Sequence, residues 1–189
     1  LESNPAIVEL LARIMGTAPR LAQVLARRPR LIDVVLDPRF FGSLPSREAI
    51  AADLANAIHA APTYEAKLNA CRVVGQEHHF LIGVRLLTQT LRGEEAAAAY
   101  TAHAEESVLA ALDLALADVE SSHGTFPDAT LTVLGMGKLG SRELTASSDL
   151  DLLLIYDLPD DTAESDGDRP IPAPLYYTRV TQRLIAALS

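Results

Sequence analysis

Residues 135–156 read GMGKLGSRELTASSDLDLLLIY, and no other stretch of the chain constrains its fold as tightly. A glycine-rich turn carries Lys138, a short helical segment follows, and Asp149 and Asp151 then stand in an apolar run. The run reads as a strand from Leu150 to Tyr156. Alternate side chains of a strand face the same way, so the two aspartates are expected to project together while Leu150 and Leu152 face the other side. A carboxylate in an apolar strand costs free energy unless it is paired or ligates a cation. Two carboxylates at this spacing suit a divalent metal that carries nucleotide phosphates. The Gly-Lys-Leu-Gly-Ser segment upstream reads as the phosphate cradle. The pairing predicts nucleotidyl transfer.

The rest of the chain sets the frame for that motif. Its 189 residues suffice for one large domain or two small ones, and 49% hydrophobic content allows a substantial core. Cys71 is the sole cysteine, so no internal disulfide can form, and a reducing cytoplasm fits. No apolar run is long enough to span a membrane, which predicts no membrane partner. A net charge of −9 argues against a nucleic-acid surface. Residues 147–168 hold eight acids and no Lys or Arg, whereas residues 1–30 carry five arginines against Glu2 and Glu9. The chain starts at Leu1 rather than Met and reads as a piece of a longer protein.

The first two-thirds read as helices. Asn4 and Pro5 mark a first helix start, and Ile7, Leu10, Leu11 and Ile14 follow at helical spacing until Gly16. Leu21, Val24 and Leu25 mark a second helix. Leu31, Ile32, Val35 and Leu36 mark a third, stopped by Asp37-Pro38. Phe40-Phe41-Gly42 and Pro45 form a connector, and Ser46 caps a helix with Ile50, Leu54 and Ile58 on one stripe. Two long helices, about Thr63–Leu91 and Glu94–Ser121, are expected to pack antiparallel. Beyond His123-Gly124, Thr130–Leu134 reads as a strand, residues 157–174 as an exposed acidic loop, and Tyr176–Leu188 as a helix. The expected class is α+β: a mostly α-helical bundle over 1–124, then a truncated nucleotidyltransferase α/β core over 125–189. Two strands and a helix cannot bury a sheet, so that core is expected to continue past Ser189.

Other readings of the motif fit less well. Gly135-Met136-Gly137-Lys138-Leu139-Gly140 matches the dinucleotide fingerprint G-x-G-x-x-G, but too few residues follow for the remaining βα units, and the aspartates have no role in it. A Walker A loop fails because Leu139 stands where Ser or Thr belongs. A glycine turn with a solvated acidic strand end is the reading without chemistry.

The motif resembles that of the bacterial glutamine synthetase adenylyltransferase family, close to G-x-G-K-x-G-G-x-E-L-x-x-x-S-D-x-D-L. Gly137-Lys138-Leu139-Gly140, Arg142-Glu143-Leu144 and Ser148-Asp149-Leu150-Asp151-Leu152 carry the match. Ser141 departs from the family's second glycine, but serine is the other choice in the wider DNA polymerase β-like superfamily. Tyr177–Ile185 is similar to the family's following helix. Ala18–Ala22, Leu25–Pro29 and Leu36-Asp37-Pro38 resemble the lead-in to the family's C-terminal, adenylylating half.

The resemblance implies transfer of AMP from ATP to a tyrosine of glutamine synthetase, with Asp149 and Asp151 as catalytic residues and ligands of Mg²⁺ or Mn²⁺. It implies nucleotide binding by Gly137, Lys138, Gly140, Ser141 and Ser148, where Ser148 orients Asp149 or contacts phosphate. A solvent-facing lysine is the plain alternative for Lys138. Arg142 and Glu143 read as a structural pair. The superfamily's third carboxylate is expected beyond Ser189, which would leave this piece catalytically incomplete. Nitrogen regulatory PII protein and glutamine are the expected effectors. The deadenylylating, phosphorolytic half and a non-catalytic helical sensor module remain alternatives. Glu77-His78-His79, His59, His103 and His123 read as ordinary helix histidines rather than metal ligands, and Cys71 as a core thiol. Arg27, Arg28 and Arg30 read as a solvated basic face or a partner contact.

Overall fold

The computed structural model of the chain describes residues 5–36, 42–159 and 164–188. Helices α1 (Pro5–Thr17), α2 (Pro19–Arg27) and α3 (Leu31–Leu36) come first. The Asn4 cap, the Asp37-Pro38 stop and Phe40-Phe41 lie outside the described residues. Helix α4 (Arg47–Ala60) begins on Ser46 as the sequence predicts, and the Ser46 hydroxyl accepts from Ala49 N at 3.2 Å. Helix α5 (Tyr64–Leu87) begins one residue after Thr63, which caps it through Ala66 N. It stops short of the expected Leu91. The Thr88 hydroxyl donates to the Val84 and Arg85 carbonyls, and Gln89 turns the chain with φ 59°.

Helix α6 (Gly93–His123) runs 31 residues. It packs antiparallel to α5, as expected: Gly75 faces His103 and Ser107, and Gly83 faces Tyr100, so rising numbers on one helix meet falling numbers on the other. Strands β1 (Thr130–Gly135) and β2 (Leu152–Asp157) form an antiparallel pair with Val133 opposite Leu154 and Gly135 opposite Leu152. Between them lies the four-residue helix α7 (Gly137–Gly140), and α8 (Ala173–Leu188) closes the described chain. The chain is therefore α+β, mostly helical, with one small sheet. Among the described residues no helix is long and apolar enough to cross a membrane.

Three apolar clusters hold these elements. In the first, Leu54, Leu68, Ala111, Val180 and Leu184 join α4, α5, α6 and α8, with Leu131 and Leu154 of the sheet packed against them. In the second, Ile14, Leu21, Leu25 and Leu31 pack on Phe80 and Val84 of α5. The third seats Leu139 and Leu144 of the glycine-rich segment against Ile82, Tyr100 and Ala104, with Leu150 and Leu152 beside them. On the outer face of the sheet Leu134, Leu153 and Ile155 stay exposed. The segment expected as an exposed acidic loop is pinned at several points where it is described. Ser165 is buried, its hydroxyl accepts from Ile171 N at 3.1 Å, and Gly167 N donates to the His123 carbonyl at 3.0 Å. Asp160 and Asp161 lie outside the described residues.

Candidate functional site

The glycine-rich segment turns sharply because its glycines let backbone approach backbone. A Cβ on Gly140 would stand 2.6 Å from the Gly135 carbonyl oxygen, so the end of α7 folds directly onto the end of β1. Gly137 has φ +50°, and a Cβ there would stand 2.9 Å from Asp151 Oδ2. The carboxylate of Asp151 thus lies against the first residue of α7. The N–H groups of Gly140 and Ser141 donate to the Met136 and Gly137 carbonyls, at 3.1 and 3.0 Å. The cradle expected around the Gly140 amide is therefore closed there. At a helix start it is the first N–H groups, here those of Gly137 and Lys138, that have no intrahelical acceptor.

Asp149 and Asp151 are both exposed, while Leu150 and Leu152 between and after them turn toward the third apolar cluster. The expected alternation holds, but the strand starts later than Leu150. Met136 N donates to the Asp151 carbonyl at 2.8 Å, and beyond that bond the partner strand has already turned into α7. Asp149 and Leu150 therefore have no strand opposite and form an extended entry to β2. Among the described residues no group of three or more His, Cys, Asp or Glu side chains is arranged to hold a metal.

The other expected site residues divide. Lys138 is exposed at the start of the turn. Ser141 Oγ donates to Glu143 Oε2 at 2.9 Å. Ser148 Oγ accepts from Thr145 N at 3.0 Å and so closes the turn over residues 145–148. Arg142 and Glu143 do not pair with each other. Arg142 adopts φ +61°, which swings its guanidinium toward α6, where it donates to Glu105 Oε1 at 3.2 Å. Arg47 of α4 binds the other Glu105 oxygen at 2.7 Å and also pairs with Glu106.

A family profile described as glutamate-ammonia ligase adenylyltransferase matches residues 8–189. The chain belongs to that family. The bifunctional glutamine synthetase adenylyltransferase/adenylyl-removing enzyme of Agrobacterium fabrum is 49% identical over all 189 residues. Those of Rhizobium meliloti and Mesorhizobium japonicum are each 46% identical over the same length. The chain spans 19% of the length of each of these curated relatives.

In this member of the adenylyltransferase family, α5 and α6 bring histidines and a tyrosine under the loop that precedes Asp149. His79 Nε2 lies 3.1 Å from the Ala146 carbonyl oxygen. A carbonyl only accepts, so Nε2 carries the proton in this contact. The ring packs 4.8 Å from Tyr100 and 6.3 Å from His103. Burial pushes His79 below the usual histidine range, and the positive Arg20 adds to this against the hydrogen bond. His103 is pushed down to about 3, by burial first and then by His79 and His78. Burial pushes the Tyr100 phenol up to about 12. All three are neutral at pH 7, which suits a packed layer under a loop.

Sequence reading missed this layer. The available signal was the spacing of Gly75, His79 and Gly83, a small–ring–small stripe that falls on one helix face. Arg28 is not part of a solvated basic face either: it donates to the Val73 carbonyl at 2.6 Å and lies 3.6 Å from Glu77, so it docks α2 on α5. Arg27 and Arg30 are exposed. Cys71 is buried, and burial pushes its thiol up, consistent with a core thiol.

Proposed function

We propose that this chain carries the opening of the adenylylating nucleotidyltransferase core of its parent enzyme, over residues 125–189, with residues 1–124 as a helical domain behind it. The reaction is transfer of AMP from ATP to a tyrosine hydroxyl of glutamine synthetase, with release of pyrophosphate. The observation that carries this reading is the placement of the Asp151 carboxylate against Gly137, at the head of a glycine turn, with Asp149 exposed on the same entry to β2.

The donor set fits a hard cation: two carboxylates on the solvent side of an otherwise apolar segment. Asp149 and Asp151 would hold Mg²⁺ or Mn²⁺. Such an ion neutralises phosphate charge and eases deprotonation of a phenol whose ordinary pKa is about 10. Lys138 adds positive charge beside the phosphates. Ser141 exchanges its bond to Glu143 for one to phosphate. Ser148 serves by holding the turn that presents Asp149. Further ligands come from ATP itself and from the rest of the parent enzyme. Regulatory contacts with a PII protein belong to the same reading, and the resemblance of residues 18–29 to the lead-in of the C-terminal half favours adenylylation over removal.

The test uses the full-length parent enzyme. Labelled AMP transfer to glutamine synthetase and AMP removal are measured in wild type and in the Asp149→Asn, Asp151→Asn double variant. Loss of transfer with removal intact is expected. Loss of removal alone would assign these aspartates to the deadenylylating half, and survival of both activities would end the catalytic reading.

A further inference from the structure

Residues 144–150 connect the glycine turn to the two aspartates. Leu144 is buried at one end and Leu150 half-buried at the other, both in the third apolar cluster. Between them the loop closes on itself: Ser148 N donates to the Thr145 carbonyl at 3.1 Å, and Thr145 N to Ser148 Oγ at 3.0 Å. Among the described residues, one hydrogen bond ties this loop to the helices, the 3.1 Å contact from His79 Nε2 to the Ala146 carbonyl.

His79 lies in the middle of α5, and its ring packs against Tyr100 and His103 of α6. The contact with Ala146 is part-buried, and a hydrogen bond partly shielded from water is stronger than a fully exposed one. The loop's own turn then carries the fixed position of Ala146 on to Ser148 and Asp149.

We propose that His79 is a positioning residue for the carboxylates: through the Ala146 carbonyl it fixes the loop that presents Asp149 and Asp151. The proposal rests on the reading of those aspartates as catalytic. It gives the helical part a definite role in the reaction, because the anchor sits on α5 rather than in the nucleotidyltransferase segment. The side-chain amide introduced by His79→Gln keeps a donor near the Nε2 position, whereas the ring introduced by His79→Phe keeps the packing and removes the donor.

The full-length parent enzyme is compared as wild type, His79→Phe, His79→Gln and Asp149→Asn. AMP transfer gives kcat and the KM for ATP, and amide hydrogen exchange reads residues 144–151 directly. In His79→Phe, kcat is expected to fall about tenfold or more with the KM for ATP within about twofold, and the loop amides to exchange about tenfold faster while α6 is unchanged. His79→Gln is expected to restore most of both. Unchanged loop exchange in His79→Phe overturns the proposal, as does an equal loss in the two His79 variants. If His79→Phe fails to fold, His79→Asn replaces it, since its shorter amide stops short of Ala146. Transfer that survives in Asp149→Asn overturns the reading of the site and the catalytic part of this proposal, while loop exchange in His79→Phe still decides the anchoring by itself.

Discussion

Gly137 and Asp151 occupy each other's space: the hydrogen on the Gly137 Cα points to where a Cβ would stand 2.9 Å from Asp151 Oδ2. Only glycine leaves the carboxylate its place, and φ of +50° adds a second reason. In Gly137→Ala, AMP transfer by the parent enzyme is expected to drop by about two orders of magnitude as Asp151 is displaced. The stability cost is about 1–2 kcal/mol, from the left-handed backbone alone. Transfer kinetics and a denaturant melt measure the two effects separately, and wild-type kinetics would show that Asp151 does not need its position.

Arg142 combines a left-handed backbone with a surface ion pair to Glu105. The two terms oppose each other on mutation. An exposed pair contributes about 0–1 kcal/mol, whereas a left-handed non-glycine residue costs about 1 kcal/mol or more. Arg142→Gly is therefore expected to be more stable than Arg142→Ala by about 1 kcal/mol. Equal midpoints in urea would contradict the backbone assignment.

Acid should unfold the chain partly through His103. Its pKa of about 3 in the folded state lies below the 6.5 of the unfolded chain. The unfolded state therefore binds more protons between these values, and stability falls as pH drops through that window. From pH 7 to 4.5 this one group withdraws about 2–3 kcal/mol. His79 shifts in the same direction. In His103→Asn the pH dependence of the unfolding free energy over this range should flatten, and a slope equal to wild type would exclude His103 as its source.

The core between α6 and α8 has its own test. Leu184 is 1% exposed and lies in the first apolar cluster. Leu184→Ala removes a buried side chain and leaves a cavity, so a loss of about 2–5 kcal/mol is expected by chemical denaturation. A loss under about 1 kcal/mol would mean that α8 is not docked as described.

Local rules account for what was legible in the sequence. Ser46 announces its helix because a hydroxyl acceptor at the N-terminus is a short-range device, and Leu150 and Leu152 reveal their inward face through strict alternation. The late start of β2 was not legible, because it depends on where the opposite strand turns away at Met136. Arg142 reads as a partner for Glu143 only while both are imagined on one helix. The left-handed backbone at Arg142 redirects it across 37 residues to Glu105. His79 and Ala146, 67 residues apart, show the same limit: periodicity tells which side of a helix is covered, never by what.

The outer face of the small sheet has a practical consequence. Leu134, Leu153 and Ile155 are exposed on it, and among the described residues the sheet has two strands, each an edge with unmatched backbone groups. Such an edge can add strands from another copy, which makes it an aggregation hazard at high concentration. Anyone handling this chain by itself should work dilute, or place a charged gatekeeper such as Leu153→Lys on that face, where it interrupts sticking without touching the helical core.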